Sequence, residues 1–350
     1  MFVDQPGQIL ALIRSGQVIE IGGPASTSSQ HGRPRHYSPT QLVLGFVAIY
    51  LIWGSTYLGI RYAVETIPPL LMMGARHFIA GILVFRWARW KGAPAPQLKQ
   101  WRWAAIAGAL LFLGGHGILA WAEQKVPSGL AALLCATLPL WTVLQARVDA
   151  TEPRLGMKAW AGILLGFGGV ALLIGPDALR HRSDLMATAG VLSSALLWTL
   201  GTSYTRRVQL PSSKVLSAAM QMICGGMLLL LTGLMCGEAG RIRLQELTAR
   251  SVFSLAYLIV FGSVVAFTVY TWLVSVSSPS MVSTYAYVNP VIAVFLGWAL
   301  AGEALGVRTL LATAVIVAGV ILVSTRRRRV AGVEDRRPSS FQEAREFAAD

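Results

Sequence analysis

Charge is scarce in this 350-residue sequence: only 13% of its residues are Asp, Glu, Lys or Arg. A soluble domain carries about 25%. With 54% hydrophobic residues and a mean hydropathy of +0.57, too little polar side chain remains to cover a soluble globule. The same apolar content excludes disorder for most of the chain, because disorder requires low hydrophobicity. Cysteine is scarce too. Cys135, Cys224 and Cys236 all lie in apolar runs, which excludes a disulfide scaffold. Catalytic signatures are missing: there is no HExxH, Walker A, CxxC or GxSxG. No enzyme, cofactor or metal is therefore expected, and a primary pump would need a partner to supply its ATPase. A polytopic membrane protein remains.

About 20 apolar residues cross a hydrocarbon core of roughly 30 Å as a helix. Ten runs qualify: 42–60, 68–85, 103–122, 129–146, 159–175, 187–205, 215–235, 252–274, 281–302 and 309–325. Arg76 is the one formal charge within them. A β-barrel would alternate apolar and polar residues, and these runs are continuously apolar. The expected fold is an all-α polytopic membrane protein. Residues 1–41 read as a cytoplasmic N-terminal extension, because Arg14 interrupts the one candidate signal core. Residues 326–350 read as a basic tail.

Orientation follows from Lys and Arg in the loops. With the N-terminus inside, the inside segments carry 21 of these residues and the outside loops 8. Both termini are thus expected in the cytoplasm, at a cytoplasmic (inner or plasma) membrane. The net charge of +14 then reads as anchorage to an anionic leaflet, with Arg326 to Arg329 directly after the last span. A nucleic-acid partner is not expected, since no aromatic-basic module surrounds that run.

The chain also repeats itself. At an offset of 145, Trp53 meets Trp198, Arg61 meets Arg206, Arg76 meets Gln221 and Gly81 meets Gly226. At 151, Trp121 meets Trp272, Pro139 meets Pro290 and Glu152 meets Glu303. Residues 42–175 and 187–325 therefore read as two five-helix copies joined by a linker at 176–186. Five is odd, so the second copy enters the membrane from the opposite face. Inverted repeats are the usual architecture of secondary transporters, with the substrate near the midplane between the copies.

The run IWGSTYLGIRYAVETIPPLLMMGARHFIAG at 52–81 resembles the opening of EamA-type transporters of the drug/metabolite transporter superfamily, in particular the YedA-like exporter group. The resemblance continues through LPLW with Pro139, Glu152, Gly162 and Gly169, and through NPVIAVFLGWALAGEALG at 289–306. It covers about residues 42–325. It implies a ten-helix inverted repeat, a central cavity lined by spans such as 1, 3, 4, 6, 8 and 9, and export of amino acids, metabolites or drugs. His77 departs from it, standing where the family often has an aromatic residue.

Several residues are candidates for the site. A mid-membrane Arg76 costs about 2.5–3.5 kcal/mol to insert, so it should hold a substrate anion, an ion-pair partner or backbone carbonyls. His116 could carry a proton or hydrogen-bond a neighbouring helix. Glu123 reads either as a solvated rim pair with Lys125 or as a carboxylate at the cavity mouth, a second coupling candidate. Glu152 and Glu303 read as structural, each bonding N–H groups at the start of the helix that follows it. Pro139 and Pro290 break matched spans, and such breaks mark binding sites in transporters or are plain kinks. Trp53, Tyr57, Trp121, Trp198, Tyr270, Trp272 and Tyr285 would wall a cavity for flat or ammonium-bearing solutes, with Asn289 as its amide. Gly162 and Gly166 have GxxxG spacing, which packs helices within a chain or between chains. The expected function is a secondary active exporter of small organic solutes, driven by a proton or solute gradient. A receptor or scaffold and a passive channel are the alternatives. Substrate, coupling ion and oligomeric state are not legible.

Overall fold

Continuous apolar runs leave the backbone no partner but itself in lipid, so each folds as a helix. The computed structural model of the chain describes residues 39–148, 156–178, 182–277, 279–282 and 284–324. Residues 1–38, most of the expected extension, the tail from 325 onward and Glu152 lie outside the described residues. The helices are α1 (Pro39–Ala63), α2 (Pro69–Trp90), α3 (Leu98–Ala122), α4a (Ser128–Cys135), α4b (Leu138–Val148) and α5 (Met157–Ala178). The second half contains α6 (Arg182–Arg207), α7 (Lys214–Met235), α8 (Ala249–Val276), α9a (Pro279–Val282), α9b (Tyr285–Ala301) and α10 (Val307–Ser324). Eight of the spans are long and apolar enough to cross a membrane, and Tyr285–Ala301 and Val307–Val323 are shorter apolar helices. No strand occurs among the described residues.

Local chemistry sets the ends. Pro69 opens α2, where its missing N–H costs nothing. Ser213 and Thr248 cap α7 and α8, each side chain accepting from the backbone N–H three residues on. Gly302, at φ +64°, ends α9b in the left-handed region that a glycine enters without penalty.

The two halves share their irregularities. The middle of α3 (Ala109–Gly117) and of α8 (Leu258–Val265) are both π-helical. The fourth span of each half is broken, between Cys135 and Leu138 in one and between Val282 and Tyr285 in the other. The sequence expectation placed Pro139 inside a helix, breaking it. Instead the chain breaks first, at Ala136 and Thr137, and Pro139 stands in the first turn of α4b. A proline there leaves no bond unmade. Pro290 does lie inside α9b, where it removes the bond to the Ala286 carbonyl.

Equivalent helices meet across the molecule. The most extensive packing joins α2 to α7 and α5 to α10, the second and fifth helices of the two halves. A pseudo-twofold axis must therefore run between the members of each pair. Small residues make the approach close. A Cβ on Gly162 would lie 2.9 Å from the Gly319 carbonyl oxygen, and one on Gly319 would lie 2.6 Å from the Gly166 nitrogen. The GxxxG spacing thus serves packing within the chain, between α5 and α10.

The state is asymmetric along the membrane normal. One end, here called distal, carries the turns after α1, α3, α7 and α9b. The other, the terminal end, carries the turns after α2, α6 and α8. At the distal end α4a packs along α9b. At the terminal end α4b packs on α6, α10 and α5, and among the described residues it makes no comparable contact with α9.

Candidate functional site

The helices bring a set of aromatic and polar side chains to the middle of the bundle. From α1, Trp53 lies 5.2 Å from Tyr270 of α8 and 5.0 Å from Tyr285 of α9b, centroid to centroid. Tyr270 and Tyr285 meet edge-on at 6.0 Å. The Trp53 indole N–H donates to the Gly262 carbonyl at 3.3 Å, inside the π-helical part of α8. A π-turn leaves carbonyls out of the regular ladder, and Gly262 offers one here. Trp53 stands more than 200 residues from the two tyrosines in sequence, and the three aromatics form one wall contributed by both halves.

Arg76 reaches the same stretch of α8. It is 4% exposed, and its Nε donates to Ser263 Oγ at 3.0 Å. A Cβ on Gly262 would sit 3.3 Å from one of its terminal nitrogens, so the missing side chain makes room for the guanidinium. No carboxylate lies within 4.0 Å of it among the described residues. Its hydrogen-bond partners among the described residues are the Ser263 hydroxyl and the Met73 sulfur. Tyr57, one turn beyond Trp53, interacts with Cys135 of α4a. A hydroxyl pair joins Ser55 to Tyr257 of α8 at 2.6 Å.

A separate cluster joins α2 and α3 of the first half to α6 of the second. His116 Nδ1 is 2.8 Å from His77 Nε2, and the His116 ring stacks on Trp198 at 4.6 Å. Phe112 packs on His77. His116 therefore has a hydrogen-bonding partner on α2, and His77 Nδ1 is buried with no partner. Trp53 and Trp198 are equivalent in the repeat but serve different neighbourhoods, one of tyrosines and one of histidines.

Glu123 departs from the rim-pair expectation. It sits just past the end of α3, fully buried, while Lys125 is exposed. Neither carboxylate oxygen has a hydrogen-bond partner. Arg61 donates to its backbone oxygen at 2.7 Å, not to its carboxylate. Burial, reinforced by the negative Glu303, pushes the Glu123 carboxyl well above the usual carboxylate range against the pull of Arg61 and Arg76. Asn289 is also buried, with its Oδ1 unpartnered, and its backbone oxygen lies against Gly54 of α1. Unmet buried polar atoms are costly, and Glu123 and Asn289 share that state with His77.

Two sequence candidates lie elsewhere. Trp121 is 42% exposed and packs over Gly190 of α6. Trp272 packs over Gly45 of α1 in the same way. Gly45 and Gly190 are themselves repeat mates, so the paired tryptophans fasten the third helix of each half to the first helix of the other. Helix packing is thus enough to account for their matching. Glu303 does bond N–H groups at a helix start, but not those of the helix that follows it. Its carboxylate reaches across to α4a, accepting from Ser128 N, Ser128 Oγ and Gly129 N at 2.6, 2.7 and 2.9 Å. A cavity of about 270 Å³ lies beside it at the distal end, lined by Arg61, Tyr62, Glu65, Arg250 and Glu303 among others.

Ser263, Tyr257 and Ser55 were not singled out by sequence. Hydroxyl residues in apolar helices are common, and only the π-turn of α8 brings Ser263 to Arg76.

These features define a class: a membrane-spanning transporter of two tandem five-helix repeats. The EamA-like transporter family matches residues 41–175 and again 185–325, and the chain belongs to that family. It is 38% identical over 279 residues to the uncharacterized inner membrane transporter YedA of Escherichia coli (strain K12), covering 79% of this chain and 88% of that one. The uncharacterized transporter YoaV of Bacillus subtilis (strain 168) is 25% identical over 81% of this chain and 96% of its own. A solved crystal structure, 20% identical, superposes with a TM-score of 0.56 over 81% of this chain and 97% of its own. It supports the fold alone.

Proposed function

We propose that the protein is a secondary active exporter of small organic solutes, such as amino acids, metabolites or drugs, working by alternating access in a cytoplasmic membrane. The observation that carries this reading is the wall of Trp53, Tyr270 and Tyr285 beside Arg76, built from both halves. A site shared by two pseudo-equivalent halves can be exposed to either side by rocking one against the other. The aromatic wall suits flat solutes, and the uncompensated guanidinium suits a solute carrying a negative group. Lys and Arg asymmetry supports both termini in the cytoplasm and the distal end outside. The asymmetric packing then corresponds to a state closed to the outside. Proton coupling is assigned to Glu123, whose buried, unpartnered carboxylate favours its neutral form, with His116 as the other candidate.

The test is flux in everted vesicles. Saturable, gradient-dependent uptake and counterflow of at least one amino acid, metabolite or dye are expected. Flux that neither saturates nor shows counterflow would identify a channel, and no flux for any solute would leave a receptor or scaffold.

A further inference from the structure

The Glu303 carboxylate spans the two halves at the end where, among the described residues, α4 and α9 are packed together. Gly302 turns the chain out of α9b, and the Glu303 N–H bonds back to the Gly297 carbonyl at 3.1 Å. That turn aims the side chain at the start of α4a, where both oxygens are used: one by Ser128 N and Oγ, the other by Gly129 N. All three bonds run between residues 174 or 175 apart. Helix starts carry unpaired N–H donors and the positive end of the helix dipole, so a carboxylate binds there with charge assistance. The surrounding surfaces are cut to let it in. A Cβ on Gly129 would lie 3.0 Å from Val294 Cα, and a Cβ on Gly297 would fall on Glu303 Oε2 itself.

We propose that Glu303 is the latch of the distal gate. Its bonds to Ser128 and Gly129 hold α4a against α9b and keep the central site closed to that side, and their release opens it. This rests on the alternating-access reading. The latch has to let go without the protein unfolding, and its position suits that. It ties helix ends at the rim, beside the 270 Å³ distal cavity from which water can replace the broken bonds. The two halves stay joined elsewhere, by α2 on α7 and α5 on α10, when these bonds break.

Cys135 is a native reporter. It is 7% exposed, at the inner end of α4a next to Tyr57. In a Cys224→Ser, Cys236→Ser background, a membrane-impermeant maleimide is applied to intact cells and, separately, to everted vesicles. Gln124→Cys, in the exposed distal turn, marks which side is distal. Glu303→Ala should raise Cys135 labelling from the distal side about tenfold, equal to about 1.4 kcal/mol, and lower it from the terminal side. Ser128→Ala, which removes one of the three bonds, should shift both rates the same way by less. Gly297→Ala keeps the carboxylate but crowds it, and should resemble Glu303→Ala. It keeps the test alive if Glu303→Ala fails to fold. Labelling that rises from both sides would mean that Glu303 is only a structural cap, and unchanged labelling in folded variants would overturn the latch. Flux measured on the same membranes separates the two readings. No wild-type flux with an opposed labelling response removes the carrier; normal flux with no response removes the latch.

Discussion

Arg76 offers the sharpest division between a residue kept for function and one kept for the fold. Within hydrogen-bonding reach, its guanidinium meets the Ser263 hydroxyl at 3.0 Å and the Met73 sulfur at 3.9 Å. The first is a hydrogen bond to a charged donor, contributing about 1.5–3 kcal/mol; the second is weak. Against this stands the cost of a central arginine, about 2.5–3.5 kcal/mol. The contacts in hand therefore only balance the cost. Replacing Arg76 with Met, which fills similar length without charge, should leave stability within about 1 kcal/mol of wild type. It should lower flux of a negatively charged solute by more than about tenfold, the loss expected on removing a charge-assisted contact of about 1.4 kcal/mol or more. Thermal unfolding in detergent and vesicle flux, normalised to folded protein, measure the two quantities. A loss of stability above about 3 kcal/mol with flux per folded molecule unchanged would refute the argument and make Arg76 a structural clamp.

Other consequences follow from the packing and the charges. Gly319→Ala puts a Cβ 2.6 Å from a backbone nitrogen that no rotamer change can move; a stability loss of about 1–3 kcal/mol is expected, with oligomeric state unchanged in size-exclusion chromatography. Trp121→Ala and Trp272→Ala each uncover a glycine on a neighbouring helix and should lower thermal stability while leaving solute KM within about threefold of wild type; a larger KM change would return them to the cavity wall. Glu123 faces Arg61, Arg76, Glu303 and, more distantly, Tyr57. Its raised pKa keeps it neutral above the ordinary carboxylate value of about 4.3, and the proton leaves only as pH rises through the shifted value. Flux that needs this proton should fall across that upper window in the wild type, and Glu123→Gln, permanently neutral, should flatten the profile. A variant whose flux still follows pH as the wild type does would clear Glu123 of coupling.

The fold class, the ten spans and the doubling of the chain needed no coordinates. Apolar runs without charge have one way to satisfy their backbone in lipid, and an odd number of spans per copy inverts the second copy wherever the helices then go. Which matched residues face inward was a different kind of fact. Trp121 and Trp272 repeat as faithfully as Trp53 and Trp198, yet the first pair covers glycines on the first helix of the opposite half. A one-dimensional offset carries no helix rotation, so it cannot tell a wall from a fastening. The same limit hid the reach of Glu303. Sequence placed it beside α10, its neighbour in the chain. The turn at Gly302 and the approach of α4a to α9b gave its carboxylate a nearer set of donors 174 and 175 residues away. Glu123 was legible as a carboxylate at a helix end. That its oxygens are buried and unmatched is decided by the helices packed around it, because burial belongs to the assembled bundle and not to any one segment of it.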